Sequence, residues 1–398
     1  MSLSRRVGSI APSVTLEIDA KVAALKAAGQ DVIGLGAGQP DFPTPAPALD
    51  ATRRFLASGR VRYTPSSGLP ELRMEAARYL TDTTRREWDA EHVIVTCGAK
   101  EGLALTLMAL VQEGDEVVVP TPSWLSYHPM IVAAGAHRVT VATEPEDGFR
   151  ADPERLAEVV NERTRVVLLN TPSNPTGTIW PRADLEVLER VLEPYPDVVI
   201  VSDEIYSPFV YENAEHVSPS SMPGLAERTV VVNGCSKAFS MTGWRIGFVA
   251  APADVAVAIA SLKSHTTSNA ATPSQHAALA ALREARDDTA TMVEAFAKRR
   301  RIVLDALAAI EGVSLVEPRG AFYVFPRVDA FYGDDLPDSV SFCAALLEQA
   351  HVAVVPGVAF GEDRCVRLSY ATSADELEEG MGRLARFLAA RRPEQVGT

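Results

Sequence analysis

The stretch NGCSKAFSMTGWRIG, Asn233 to Gly247, follows the apolar run RTVVV and sets a lysine just beyond it, with an arginine eight residues later. Lys237 at a strand end is either a solvated side chain or a reactive amine held at the edge of a sheet. Arg245 sits in GWRIGFVA, among apolar neighbours, and so calls for a specific anionic partner.

Working outward, the same grammar recurs upstream. The segments HVIVTCGAKEG, DEVVVPTPSW, TRVVLLNTPSNPTG and DVVIVSDEIY are short β-branched runs that end in turn residues, with helix-like stretches such as PRADLEVLERVLE between them. Runs apolar throughout are what strands buried on both faces require, so the expected fold is α/β with a mostly parallel central sheet. The large α/β unit is expected over 45–284. A smaller α+β unit is expected over 285–398, together with residues 1–44, although the first forty residues could pack on either unit. One helix is expected at about 15–28, closed by Gly29. GVSLVEPRGAFYVFPRV, VAVVPG and DRCVRLSYA are expected as strands of the smaller unit.

The bulk properties narrow the function. A net charge of −14 opposes an electrostatic grip on nucleic acid or an anionic membrane. No run approaches the ~18 apolar residues that cross a bilayer, and the N-terminus lacks the features of a secretory signal, so a cytoplasmic location is expected. The four cysteines lack metal-site spacing and read as free thiols. The seven histidines form no ligand motif, so no metal is expected. Neither a P-loop nor a strand-borne GxGxxG occurs.

In open α/β sheets ligands bind beyond the carboxyl ends of the strands, and that is where the polar residues collect. Gly98-Ala99-Lys100 could cradle an anion at a helix start or be only a tight turn. Trp124 could pack or form an aromatic plate. Asn170 and Asn174 lie on the next turn. Asp203, directly after VVIVS, must be paired or hydrogen-bonded, either as a ligand group or as a cap for the residues that follow. Tyr206 could face a ligand or fill the core. Arg367, inside CVRLSYA, needs a carboxylate, a phosphate or solvent.

Together these residues resemble the fold-type-I pyridoxal-phosphate (PLP) aminotransferases of class I and II, over essentially the whole chain. GCSK, SM, Gly243, Arg245 and Gly247 match the lysine signature, and PSNPTG and SDEIY lie upstream in the family's order. MTGWRIG, SGLPELR, RGAFYVFP and VVPGVAFG are most like the bacterial aspartate aminotransferases. The resemblance implies that Lys237 forms the Schiff base with PLP and moves the proton, and that Asp203 pairs with the pyridine nitrogen. It implies that Tyr206 and Asn174 address the ring hydroxyl and that Trp124 stacks on the ring. Gly98, Ala99, Lys100, Ser236 and Arg245 would surround the phosphate, and Tyr63 would reach the phosphate of a neighbouring subunit in a homodimer. Arg367 would clamp the substrate α-carboxylate, aided by Asn174 and Gly38, and Lys100, Ser13 and Thr15 would receive the distal carboxylate.

These roles favour exchange between L-aspartate and 2-oxoglutarate. Prephenate, aromatic, alanine or kynurenine transamination, or a PLP-dependent lyase on the same scaffold, are the alternatives. Two departures stand out. Gly234 replaces a serine that contacts the phosphate in some relatives, leaving more of the grip to Arg245 and the Gly98 turn. Gln39 replaces a glutamate common before the PDF turn. Cis bonds before Pro172 and Pro175 would suit a fixed turn that aims Asn174.

Overall fold

The computed structural model describes residues 4–8, 10–150 and 152–391. Its frame is a seven-stranded sheet built from β1 (Val93–Thr96), β2 (Glu116–Thr121), β3 (His137–Ala142), β4 (Thr164–Asn170), β5 (Val199–Asp203), β6 (Thr229–Gly234) and β7 (Gly247–Ala250), in the order β1-β7-β6-β5-β4-β2-β3. Neighbours run parallel except at β7, which lies antiparallel to both β6 and β1. The central strands are buried on both faces, which is why they read as unbroken Val, Ile and Leu runs. β3 instead alternates from Arg138 onward, with Arg138, Thr140 and Ala142 exposed and Val141 buried, as suits a sheet edge.

Helices cover both faces. Ala99–Leu110 and Ala253–Thr266 share one apolar cluster with the sheet, Pro70–Thr84 and Thr272–Glu284 share a second, and Arg182–Leu192 packs on a third with Val167, Leu169 and Ile200. A separate core gathers the helix Arg286–Ala308, the helices Ser339–Ala350 and Ala374–Ala389, and the strands Tyr323–Val324 and Val366–Ser369. The molecule is thus a large α/β domain with a smaller domain beside it.

The N-terminal segment goes with the smaller layer. Ile33–Gly34 pairs in parallel with Val352–Ala353, and Ile18, Val22 and Leu25 of the helix Val14–Ala27 pack around Val32, Leu347 and Ala353. GVSLVEPRGAFYVFPRV departs from the expected strand. Only Tyr323–Val324 is laddered with its neighbour, and the rest of the segment makes isolated bridges, Ser314 to Arg327, Gly320 to Val210 and Arg327 to Cys365. Pro318 and Pro326 carry no N–H to donate, and Gly320 sits too close to Pro172 to carry a side chain.

Candidate active site

The carboxyl ends of β4, β5 and β6 and the turn after β1 converge on a cavity of about 370 Å³, which Gly36, Gly38, Tyr323 and Arg367 also line. The parallel register puts Asn170 opposite Asp203, so the two strand ends are level. Asn170 then ties them together. Its Nδ2 donates to Asp203 O at 2.9 Å, and its Oδ1 accepts from Asn174 N at 2.7 Å, which fixes the NTPSNP turn. Peptide bonds Thr171–Pro172 and Asn174–Pro175 are cis, and so is Thr121–Pro122 ahead of Trp124.

Lys237 lies in the short helix Cys235–Ala238 directly after β6, and its Nζ donates to Gly38 O. Burial, reinforced by the Arg367 and Arg245 guanidiniums, pulls its ammonium down to about 8, with Asp203 opposing. Asp203 is buried at the end of β5. Burial pushes its carboxyl up to about 6, against the Tyr127 hydroxyl, which donates to Oδ2 at 2.8 Å, and the Ile205 N–H. Asp203 does not cap a helix, because residues 205–208 form turns.

The turn after β1 owes its shape to three glycines. Gly98 has φ 84°, and a Cβ there would lie 2.3 Å from Arg245 Nη2. A Cβ on Gly247 would lie 2.4 Å from Ala99 N. Gly234 faces the same strand crossing, where a Cβ would lie 2.7 Å from both Gly247 Cα and Ile246 O. Backbone approach between β6 and β7 therefore demands the glycine at 234, which accounts for the missing serine. Arg245 itself takes a left-handed backbone (φ 57°), and its guanidinium donates to Thr242 O at 2.9 Å and to Cys97 O at 3.4 Å. Among the described residues no carboxylate forms an ion pair with it. Ser236 lines the cavity on the same side.

Arg367 is a buried guanidinium held by neutral groups. Nη1 donates to Asn174 Oδ1 at 2.9 Å and Nη2 to Gly36 O at 2.7 Å, while the Tyr323 and Phe360 rings flank it at 4.5 and 4.9 Å. Its Nε has no hydrogen-bond partner. A buried cation with an unsatisfied donor beside a cavity is built to take an anion.

Trp124 lines the cavity edge-on to Tyr127, with Lys100 Nζ 4.9 Å from its ring centroid. Burial and then Arg245 hold the Lys100 ammonium below its usual range. Thr15 lines the cavity from the helix Val14–Ala27. Ser13 stands one hydrogen bond behind it, its Oγ 3.1 Å from Thr15 Oγ1. Tyr206 shares a 2.8 Å hydrogen bond with the Tyr323 phenol. Tyr63 is not brought into the cavity and stands 91% exposed in the single chain. Gln39 accepts from Thr242 Oγ1 at 3.2 Å.

Among the cavity residues that the sequence reading missed are Tyr127, Tyr323 and Asp19. Tyr127 and Tyr323 lie in apolar surroundings that read as core. Asp19 belongs to a helix that presents Thr15, Leu16 and Asp19 along one face, a spacing that could have pointed to it. Burial pushes the Asp19 carboxyl up, and the Arg367 charge partly offsets this.

A glycine-shaped turn beside an arginine, a buried carboxylate and a depressed lysine on one cavity, and an arginine short of one acceptor together suit a ligand carrying a phosphate, a basic ring nitrogen and a carbonyl. This donor set matches the fold. Residues 30–384 match the family Aminotransferase class I and II, and the chain belongs to it. It is a PLP-dependent aminotransferase of fold type I.

Among named relatives, an aspartate aminotransferase of Geobacillus stearothermophilus is 45% identical over 98% of this chain and 100% of its own length. A probable aspartate/prephenate aminotransferase of Aquifex aeolicus is 43% identical over 97% of this chain and 98% of its own. The solved structure of the Thermus thermophilus aspartate aminotransferase with maleate superimposes with a TM-score of 0.92 at 42% identity, over 97% of this chain and 99% of that one.

Proposed function

We propose that the protein moves an amino group from L-aspartate to 2-oxoglutarate by a ping-pong sequence, yielding oxaloacetate and L-glutamate. The observation that carries this reading is the arrangement of cations around one cavity. Arg367 and Lys100 both line it and are held by different neighbours, Arg367 by Asn174 and Gly36 and Lys100 over the Trp124 ring, so two substrate carboxylates would have separate cationic partners. The relatives named for aspartate support the same choice.

PLP fits the groups present. Arg245, Ser236 and the Gly98-Ala99 amides would hold its phosphate, Asp203 its ring nitrogen, Trp124 its face, and Asn174 and Tyr206 its ring hydroxyl. Bound there, it supplies an electron sink for breaking bonds at the substrate Cα. The protein's own work is acid–base and positional. Lys237 Nζ, drawn down to about 8 by burial and the two arginines, is suited to serve as the base at the substrate Cα and to carry out the 1,3-proton transfer. Arg367 and its Asn174 partner orient the α-carboxylate, so that the Cα–H bond faces that amine. Asp203, ionised above about 6, keeps a ring N–H in place.

We further take the working form to be a homodimer in the cytoplasm. Leu56, Val61 and Tyr63 leave apolar surface exposed near one another in sequence, and the Tyr63 phenol would complete the phosphate site of the neighbouring subunit. Three of the four cysteines are buried and all are free, which suits a reducing compartment. A second reading, transamination of prephenate or an aromatic oxo acid, draws on Leu16, an apolar side chain on the cavity wall beside Thr15.

Lys100→Ala tests the donor assignment. The variant is expected to lose about tenfold or more in kcat/KM for aspartate while sparing alanine, the scale of one charge-assisted hydrogen bond. Equal losses for both donors would remove Lys100 from distal-carboxylate recognition.

A further inference from the structure

The anion turn has a carboxylate close behind it. Glu101 lies in the first turn of the helix Ala99–Leu110, where its Oε2 accepts from Cys97 N at 2.5 Å and its Oε1 from the Thr267 hydroxyl. Cys97 immediately precedes Gly98, and its carbonyl accepts from Arg245. The carboxylate therefore fixes the peptide from which the turn departs. Burial pushes its carboxyl up, but the Thr267 hydroxyl, the Cys97 N–H and Lys263 together outweigh burial, so the group is ionised.

Lys263 answers that charge from another element. It lies on the helix Ala253–Thr266 with its side chain fully buried, and its Nζ donates to Glu101 Oε2 at 2.9 Å and to Thr267 Oγ1 at 3.1 Å. The Cys97 sulfur lies 3.9 Å from the same nitrogen, and burial and Glu101 raise that thiol, so it stays protonated and adds no charge. Neither Glu101 nor Lys263 lines the cavity. A buried ion pair is a weak source of net stability. A bare carboxylate beside a phosphate dianion would nevertheless oppose binding.

We propose that Glu101 and Lys263 form a charge-neutral positioning pair for the phosphate turn. Glu101 holds the Cys97–Gly98 peptide in register, and Lys263 cancels its field so that the turn still accepts a dianion. The proposal rests on the reading that the PLP phosphate binds at Gly98 and Arg245.

The test compares wild type with Lys263→Met, Glu101→Gln and the double variant. Equilibrium affinities of the cofactor-free proteins are measured for PLP and for pyridoxal, which lacks the phosphate. Lys263→Met is expected to weaken PLP about tenfold, the scale of one uncompensated charge in partly buried surroundings, while leaving pyridoxal nearly unchanged. The double variant keeps an acceptor for Cys97 N–H and restores neutrality, so it should recover most of the PLP affinity. Glu101→Gln alone should bind PLP at least as tightly as wild type.

Equal losses for PLP and pyridoxal, or no recovery in the double variant, would reduce the pair to packing and overturn the proposal. If Lys263→Met does not fold, a loss of PLP affinity in Glu101→Gln overturns it by itself. A wild type that binds PLP no better than pyridoxal would instead refute the phosphate reading beneath it.

Discussion

Removing one hydroxyl from Tyr127 should move the titration of Asp203. The Tyr127 phenol donates to Asp203 Oδ2 at 2.8 Å, and both side chains are buried, so solvent replaces the lost bond poorly. A hydrogen bond to a charged acceptor is worth about 1.5–3 kcal/mol, which corresponds to roughly 1–2 pH units. Asp203 stands at about 6 with that bond in place, so Tyr127→Phe should place it near 7–8. At pH 7 the ionised fraction would fall from about nine-tenths to between a half and a tenth. The fall weakens the group proposed to hold the ring nitrogen.

The assay is the affinity of the cofactor-free protein for pyridoxamine 5′-phosphate between pH 5 and 9. This ligand needs no bond to Lys237, and its own phosphate ionisation is common to both proteins and cancels in the difference. Wild-type affinity should rise through about pH 6, and that of Tyr127→Phe through a midpoint about 1–2 units higher. Coincident midpoints would refute the claim that Tyr127 sets the Asp203 carboxylate.

Other perturbations follow from the same geometry. Asp203 binds its proton more tightly folded than unfolded, so its contribution to stability is full below about 4 and lost as pH rises through about 6, amounting to roughly 3 kcal/mol for the cofactor-free protein. Denaturant titrations of wild type against Asp203→Asn should differ in slope over that window, and parallel curves would contradict it. Arg367→Lys keeps the charge but loses the paired donors, and should cut kcat/KM by about 10–100-fold for every amino acid tested; a loss confined to dicarboxylates would mean that Arg367 does not hold the α-carboxylate. Asp19 faces the same cavity as two proposed carboxylate partners, so Asp19→Asn should tighten aspartate and 2-oxoglutarate more than alanine. An unchanged ratio of KM values would show that Asp19 is spectator charge.

Much of this architecture is written locally in the chain. Strands buried on both faces need unbroken apolar runs, and the residue after each run is placed at a sheet end. The sequence alone therefore sets Asn170, Asp203 and Lys237 along one edge. The glycines at 98, 234 and 247 were legible as punctuation, yet their reason was not: each answers a backbone or side chain more than ten residues away.

Tyr127 and Tyr323 stayed hidden because a buried tyrosine reads as core until its hydroxyl partner is known. The Glu101–Lys263 pair spans 162 positions, beyond any periodicity. The expected strand around Tyr323 is laddered over only two residues, because Pro318 and Pro326 have no N–H to donate. Asp19 was lost for a simpler reason: a carboxylate on an exposed helix looks like a solvated face.

The central claim is tested most directly by a single half-reaction. The PLP-loaded protein is mixed with aspartate, glutamate, tyrosine, kynurenine or alanine in turn, without an acceptor, and conversion of the cofactor to its pyridoxamine form is followed by absorbance alongside the oxo acid released. The two carboxylate partners proposed for the cavity predict rapid conversion by aspartate and glutamate, one equivalent of oxaloacetate per site from aspartate, and slower conversion by the other three. Faster conversion by tyrosine than by aspartate would contradict the assignment.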